Sequence, residues 1–191
     1  RLDSRNDLID DLALEGQGEG AVLFGVDGIP VIKDAVLGEM DALAGDLPRC
    51  GSVLLPVAWF GDDLRCGSCT LAPMVTQSGA DAPAMPWVVS GINRAAAAVM
   101  PQMDDAPMYE GTPADAAVVQ ALTDLQARGM EPVVAPQILF TQTVRNTLPD
   151  PWSGETGQPA KPWHGRLTAA RAPGVAGSPD GTAALASEVA T

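Results

Sequence analysis

Two unbroken apolar runs, Ser52 to Trp59 (SVLLPVAW) and Pro132 to Phe140 (PVVAPQILF), constrain this chain more than any other feature. A strand with one wet face alternates apolar and polar residues. A run without alternation belongs to a strand covered on both faces, as in a parallel sheet flanked by helices. The stretch from Pro113 to Arg128 reads as a helix, with Thr112 as N-cap, Pro113 in the first turn and Asp115 near the positive end of the dipole. Val118, Ala121, Leu122 and Leu125 form its apolar stripe, and Gly129 ends it. A second helix is expected to open at Ser178-Pro179-Asp180. The order is strand, long loop, helix, strand, long loop, helix, which predicts right-handed βαβ units and a parallel sheet. Pro56 is the objection, since proline removes a ladder donor; a bulge or a local edge would accommodate it. Both long loops follow strands, as in a TIM barrel, where such loops build the functional face. A doubly wound sheet shares that asymmetry.

The remaining segments say less. Residues 1–46 read as a small α+β segment: a short helix with Leu8, Ile9, Leu12 and Leu14, two apolar runs split by Asp27-Gly28, and a helix near Ala35 to Ala44. Gly16-Gln17-Gly18-Glu19-Gly20 lacks the preceding strand and the lysine of a phosphate-binding loop. From Phe60 to Gly111 the chain is punctuated by prolines, with strand-like pieces at Thr70 to Thr76 and Trp87 to Ser90. Basic residues number 11 against 24 acidic ones, a formal charge of −13, which argues against nucleic acid and anionic membranes as partners. No apolar run approaches the roughly 18 residues of a membrane span. The polar start is unlike a signal peptide and lacks an initiator Met, so residue 1 is not expected to be the natural start. Three cysteines do not make a disulfide framework, and synthesis in a reducing cytoplasm fits best.

A series of ordered motifs carries a family resemblance. It begins at Trp59-Phe60-Gly61-Asp62-Asp63-Leu64-Arg65 and continues through Cys66-Gly67-Ser68-Cys69, Trp87-Val88-Val89-Ser90-Gly91 and Gly111-Thr112-Pro113-Ala114-Asp115. The stretches from Leu148 to Gly154 and from Gln158 to Thr168, then Ser178 to Ala184, complete it. Together, over about residues 47–191, these resemble the TIM-barrel-like, glycoside-hydrolase-like domain of the large tail-tip or host-specificity protein of gene transfer agents and related alphaproteobacterial phages. The resemblance implies an α/β fold: a partial, truncated TIM-barrel-like domain over 47–191 made of the first βα units, with parallel strands and long βα loops, after the α+β segment at 1–46. It implies a virion component at the tail tip that contacts the host envelope or assists cell-wall penetration, with other tail and baseplate proteins as partners. Cell-surface polysaccharide or peptidoglycan is the implied ligand. The hydrolytic carboxylates of the family lie later in the barrel, beyond Thr191. The expectation is therefore a non-catalytic fragment, with a glycoside hydrolase and a degenerate prophage remnant as alternatives.

Candidate ligand-binding residues are Asp62, Asp63, Arg65, Trp152, Trp163, His164 and Arg166. Asp62, Asp63 and Arg65 follow the first strand, where carboxylates bind sugar hydroxyls or move protons and a guanidinium orients a carboxylate. Neighbouring acids on an extended segment point apart, so the two are not expected to be one hydrolytic pair. The plainer reading, and the favoured one, is a loop anchor in which Asp caps backbone amides and Arg65 pairs with one Asp. The tryptophans can stack on sugar rings, but pinning a proline-rich loop is the simpler role. His164 is the sole histidine and is expected to make a structural hydrogen bond. Cys66-x-x-Cys69 reads first as free thiols, then as a local disulfide, then as part of a metal site; Cys50 and His164 are too distant in sequence to complete zinc coordination convincingly. No cofactor and no metal are expected.

Overall fold

A computed structural model describes residues 20–22, 41, 45–79, 81, 86–162 and 167–190. The expected helices at the N-terminus and near Ala35 to Ala44, and the Asp27-Gly28 hairpin, lie almost wholly outside these residues.

Both apolar runs form ten-residue strands. The described strands are β1 (Gly20–Val22), β2 (Ser52–Gly61), β3 (Leu71–Ala72), β4 (Met74–Val75), β5 (Val88–Val89), β6 (Ile92–Asn93), β7 (Ala98–Val99), β8 (Gln102–Met103), β9 (Ala106–Pro107) and β10 (Glu131–Phe140). The helices are α1 (Asp115–Ala127) and α2 (Ala183–Val189). The largest sheet has the order β1-β2-β10, with β3 also on β2. β1 is parallel to β2 and β3 is antiparallel to it. Glu131 N donates to Gly51 O (2.8 Å) and Thr141 N to Gly61 O (3.1 Å), so β2 and β10 run the same way.

That register explains the prolines. In a parallel pair, successive residues direct their N–H and C=O groups to opposite sides of the strand. Glu131 faces β2, so Pro132 and Pro136 turn their nitrogens to the outer side of β10, where no described strand loses a bond. On β2 the even positions face β1 and β3. Pro56 falls between the last residue paired with β1, Leu54, and the first paired with β3, Phe60. Among the described residues its missing donor therefore interrupts neither ladder.

The expected partial TIM-barrel-like α/β fold of parallel strands and long βα loops does not form. The described residues make small sheets of mixed and antiparallel strands with two helices. The stretch between β2 and α1, expected as one irregular loop, holds three two-stranded ladders: β4 with β7 (parallel), β5 with β6 and β8 with β9 (both antiparallel). β3, β4 and β5 fall within the strand-like pieces expected at Thr70 to Thr76 and Trp87 to Ser90, whereas β6 to β9 were not expected, because ladders two residues long leave no periodic trace. β8 and β9 are joined by Asp104 (φ 55°) and Asp105 (φ 62°), a two-residue turn with both centres left-handed, as a tight hairpin requires.

The contacts divide into two units interleaved along the chain. One comprises the described residues within 1–57, 79–96 and 112–136; the other those within 58–78, 97–111 and 137–191. In the first, Val53 and Leu55 of β2 pack with Leu125 and Met130, and with the partly buried Ala121 and Leu122 of α1. α1 begins two residues later than the sequence suggests, with Ala114 at the N-cap and no side-chain cap. Thr112 is instead buried, and its carbonyl accepts from Trp87 Nε1 (2.8 Å). Asp115 Oδ2 accepts from Ser90 N (2.8 Å) in the β5–β6 turn. The helix ends as foreseen at Gly129 (φ 77°): Gly129 N donates to Gln126 O and Met130 N to Leu125 O, a Schellman motif closed by the Met130–Leu125 contact. In the second unit Phe60, Met100 and Met108 are buried together, with Met74, Met103, Tyr109 and Leu139 against them. Unbranched methionines fill the irregular space left by such short ladders.

Candidate functional site

The end of β2 delivers its two acids into different surroundings. Asp62 is exposed, and its Oδ1 accepts from Thr70 N (2.6 Å), closing the loop that leads into β3. Asp63 is 3% exposed. Its Oδ1 accepts from Arg65 N (2.9 Å), Arg65 Nε (3.0 Å) and Gln158 Nε2 (2.7 Å), and its Oδ2 from Arg65 Nη2 (2.5 Å). The guanidinium therefore grips the carboxylate with two nitrogens, the strongest geometry available to such a pair. Burial by itself would push the Asp63 carboxyl up. The bonds from Arg65 and Gln158 outweigh it and hold the group below the usual carboxylate range. Arg65 is shifted upward in turn by the Asp63 carboxylate.

Gln158, which the sequence did not single out as a site residue, is the hub of this network. Its Oε1 accepts from Leu64 N (3.0 Å) and Gln142 Nε2 (3.0 Å), and its Nε2 also donates to Pro149 O (3.0 Å). Its backbone N donates to Asn146 Oδ1 (2.9 Å), while its O accepts from Asn146 Nδ2 (2.7 Å). One side chain thus ties the end of β2 to the loop that follows β10. Gln142 Oε1 is buried with no partner among the described residues.

Trp152 is half-buried in that loop, in a turn organised by Asp150. Asp150 Oδ1 accepts from Trp152 N (3.1 Å) and its Oδ2 from Ser153 Oγ (2.9 Å). Asp150 therefore serves a turn, the usual work of an Asp ahead of a proline. Trp163, His164 and Arg166 lie outside the described residues. Of the seven expected site residues, the structure joins Asp63 to Arg65, places Asp62 in a separate contact, and puts Trp152 in a loop tethered through Gln158.

Cys50, Cys66 and Cys69 are free thiols, all half-buried. Burial pushes the Cys69 thiol up, and the carboxylates of Asp62 and Asp63 add to the rise. An open, mainly apolar cleft of about 300 Å³ lies beside Cys66, between Leu167, Ala169 and Pro173 and the α2 residues Leu185 and Val189. Among the described residues no three His, Cys, Asp or Glu side chains gather where a metal ion could be held. No described helix is long and apolar enough to cross a membrane.

The sequence matches no protein-family model, and none of the curated proteins compared with it is significantly similar.

Proposed function

We propose that this chain belongs to the tail tip of a phage or gene transfer agent, and that its part is structural and host-contacting, without a catalytic centre among the residues described. The observation that carries the non-catalytic reading is the Asp63 carboxylate, enclosed by four N–H donors from Arg65 and Gln158. A glycoside hydrolase needs one carboxyl that keeps its proton near neutral pH and a second that is ionised beside it. Asp63 is driven the opposite way from such an acid, and it is buried. Asp62 and Asp150 both hold backbone amides in loops. The motif series from Trp59 to Ala184 supports the tail-tip assignment, and the charge of −13 suits a particle surface that avoids nucleic acid. The partners are other tail and baseplate proteins, with envelope polysaccharide as the contacted surface.

Two experiments test the two halves separately. Gold-labelled antibody against this chain, applied to purified particles, should decorate one tail end; particles that lack the chain would overturn the assignment. Full-length protein with Asp62→Asn or Asp63→Asn should match the wild type on peptidoglycan and on capsule. Turnover lost in either folded variant would restore the enzymatic reading.

A further inference from the structure

Cys66 and Cys69 serve neither the anchoring network nor the proposed contact role, yet the backbone between them has a specific shape. Arg65 O accepts from both Ser68 N (3.0 Å) and Cys69 N (2.9 Å), so residues 65–69 form a single helical turn. Residues three apart on such a turn have Cα atoms roughly 5 Å apart. Disulfides span about 4.4–6.8 Å between Cα atoms, so the Cα spacing of this turn falls within the range of the bond. The turn is braced on both sides: Cys66 N donates to Thr168 O (2.7 Å), and Thr70 N to Asp62 Oδ1 (2.6 Å). Cys66 borders the open cleft, whereas Cys69 Sγ lies against Gly61, 2.9 Å from where a Cβ would stand. Closing the bond asks for rotation of side chains about Cα–Cβ, with Cys69 leaving Gly61.

We propose that Cys66 and Cys69 are a reversible redox pair, which closes to an intramolecular disulfide when the protein meets a low-molecular-weight disulfide such as glutathione disulfide. The Cys66 thiolate, on the open side, attacks one sulfur of the oxidant. A mixed disulfide forms at Cys66 and the first glutathione thiolate leaves. The Cys69 thiolate then attacks Cys66 Sγ, forms the protein disulfide and expels the second glutathione. Two protein thiols lose two electrons and two protons, and one glutathione disulfide becomes two glutathiones. Burial pushes the Cys69 thiol up and leaves less of it as thiolate, which slows the second step. Closure fixes the turn that carries Arg65, and thereby couples the redox state to the Asp63 anchor.

The test uses the full chain bearing Cys50→Ser, incubated with glutathione disulfide and read by intact mass and maleimide labelling. The expected product has lost two hydrogens, carries no glutathione and takes up no maleimide, and dithiothreitol reverses it. Peptide mapping of the wild type gives the same answer should the variant fold poorly. Cys69→Ser should trap glutathione on Cys66. The folded protein should favour closure about tenfold or more over the same chain in urea, because the turn holds the thiols together. A persistent adduct on Cys66 with Cys69 still reactive, or equal closure with and without urea, would overturn the proposal.

Discussion

Each unit contains an aspartate–arginine pair with one side chain buried, and the two pairs are opposites in which member that is. In Asp81–Arg94 the arginine side chain is 5% exposed and the aspartate 22%. In Asp63–Arg65 the aspartate side chain is 5% exposed and the arginine side chain 23%. The buried cation rests over the face of Trp87, 5.9 Å from the ring centroid, and takes one oxygen of Asp81 at 2.6 Å. An aromatic face attracts positive charge without demanding a particular hydrogen position. The buried anion has no such partner and must be met by aimed donors, four of them, one from a residue 95 positions away. The buried arginine thus shares its charge between an aromatic face and a carboxylate, whereas the buried carboxylate fixes the geometry of every loop that serves it.

The strongest way to break this contrast is to remove the exposed member of the second pair. Arg65→Met leaves a buried carboxylate with only the backbone amide at 65 and Gln158, and should cost about 3 kcal/mol, read as a lower urea midpoint. Arg65→Lys should recover only part of it, because an ammonium cannot reproduce the two-nitrogen grip. A loss for Arg65→Met below about 1 kcal/mol would mean that Asp63 is adequately solvated without its partner.

The matching change in the first pair removes Asp81, again the more exposed member. Arg94 keeps the Trp87 face. Asp81→Asn should therefore cost less, about 1 kcal/mol in the same measurement. Equal losses for Asp81→Asn and Arg65→Met would remove the distinction between a cation shared with an aromatic face and an anion held by aim.

The two regions also differ in how far the sequence discloses them. The strand at 52–61 and the helix ending at Gly129 rest on local signals, an apolar run and a terminating glycine, and both are visible without a partner. Pro56 within β2 looked like an objection because its meaning depends on which neighbour its nitrogen faces, and that is a property of the register. The partners in the small sheets were hidden because two-residue ladders carry no period, and the β8–β9 hairpin because Asp104-Asp105 lacks the glycine that usually marks a left-handed turn. At the site, Asp63 and Arg65 stood out by proximity to the end of a strand. Gln158 did not, since its side-chain bonds to Asp63 and Leu64 span 95 and 94 positions and its neighbours Gly157 and Pro159 announce only a loop. The local loop-anchoring reading was accessible; the residue at its centre was not.

The smallest effect separates the pairs by acid titration. Asp63 has a folded pKa below its unfolded one, so its contribution to stability is complete above the ordinary carboxylate value, about 4, and is lost as pH falls through the lowered value. Asp81 is lowered as well, through its hydrogen bond with Arg94, and contributes with the same sign. Asp63→Asn should therefore flatten part of the fall in urea midpoint below about pH 4 and leave the rest to Asp81 and other carboxylates. In Arg65→Met the fall should begin at higher pH, because burial then acts on Asp63 with less to oppose it. Asp62→Asn is the control one residue away: exposed, bonded to Thr70 N, and outside the Arg65 grip. If Asp62→Asn flattens the acid limb as much as Asp63→Asn, the buried anion is not the group that makes this region sensitive to acid, and the contrast between the two pairs loses its basis.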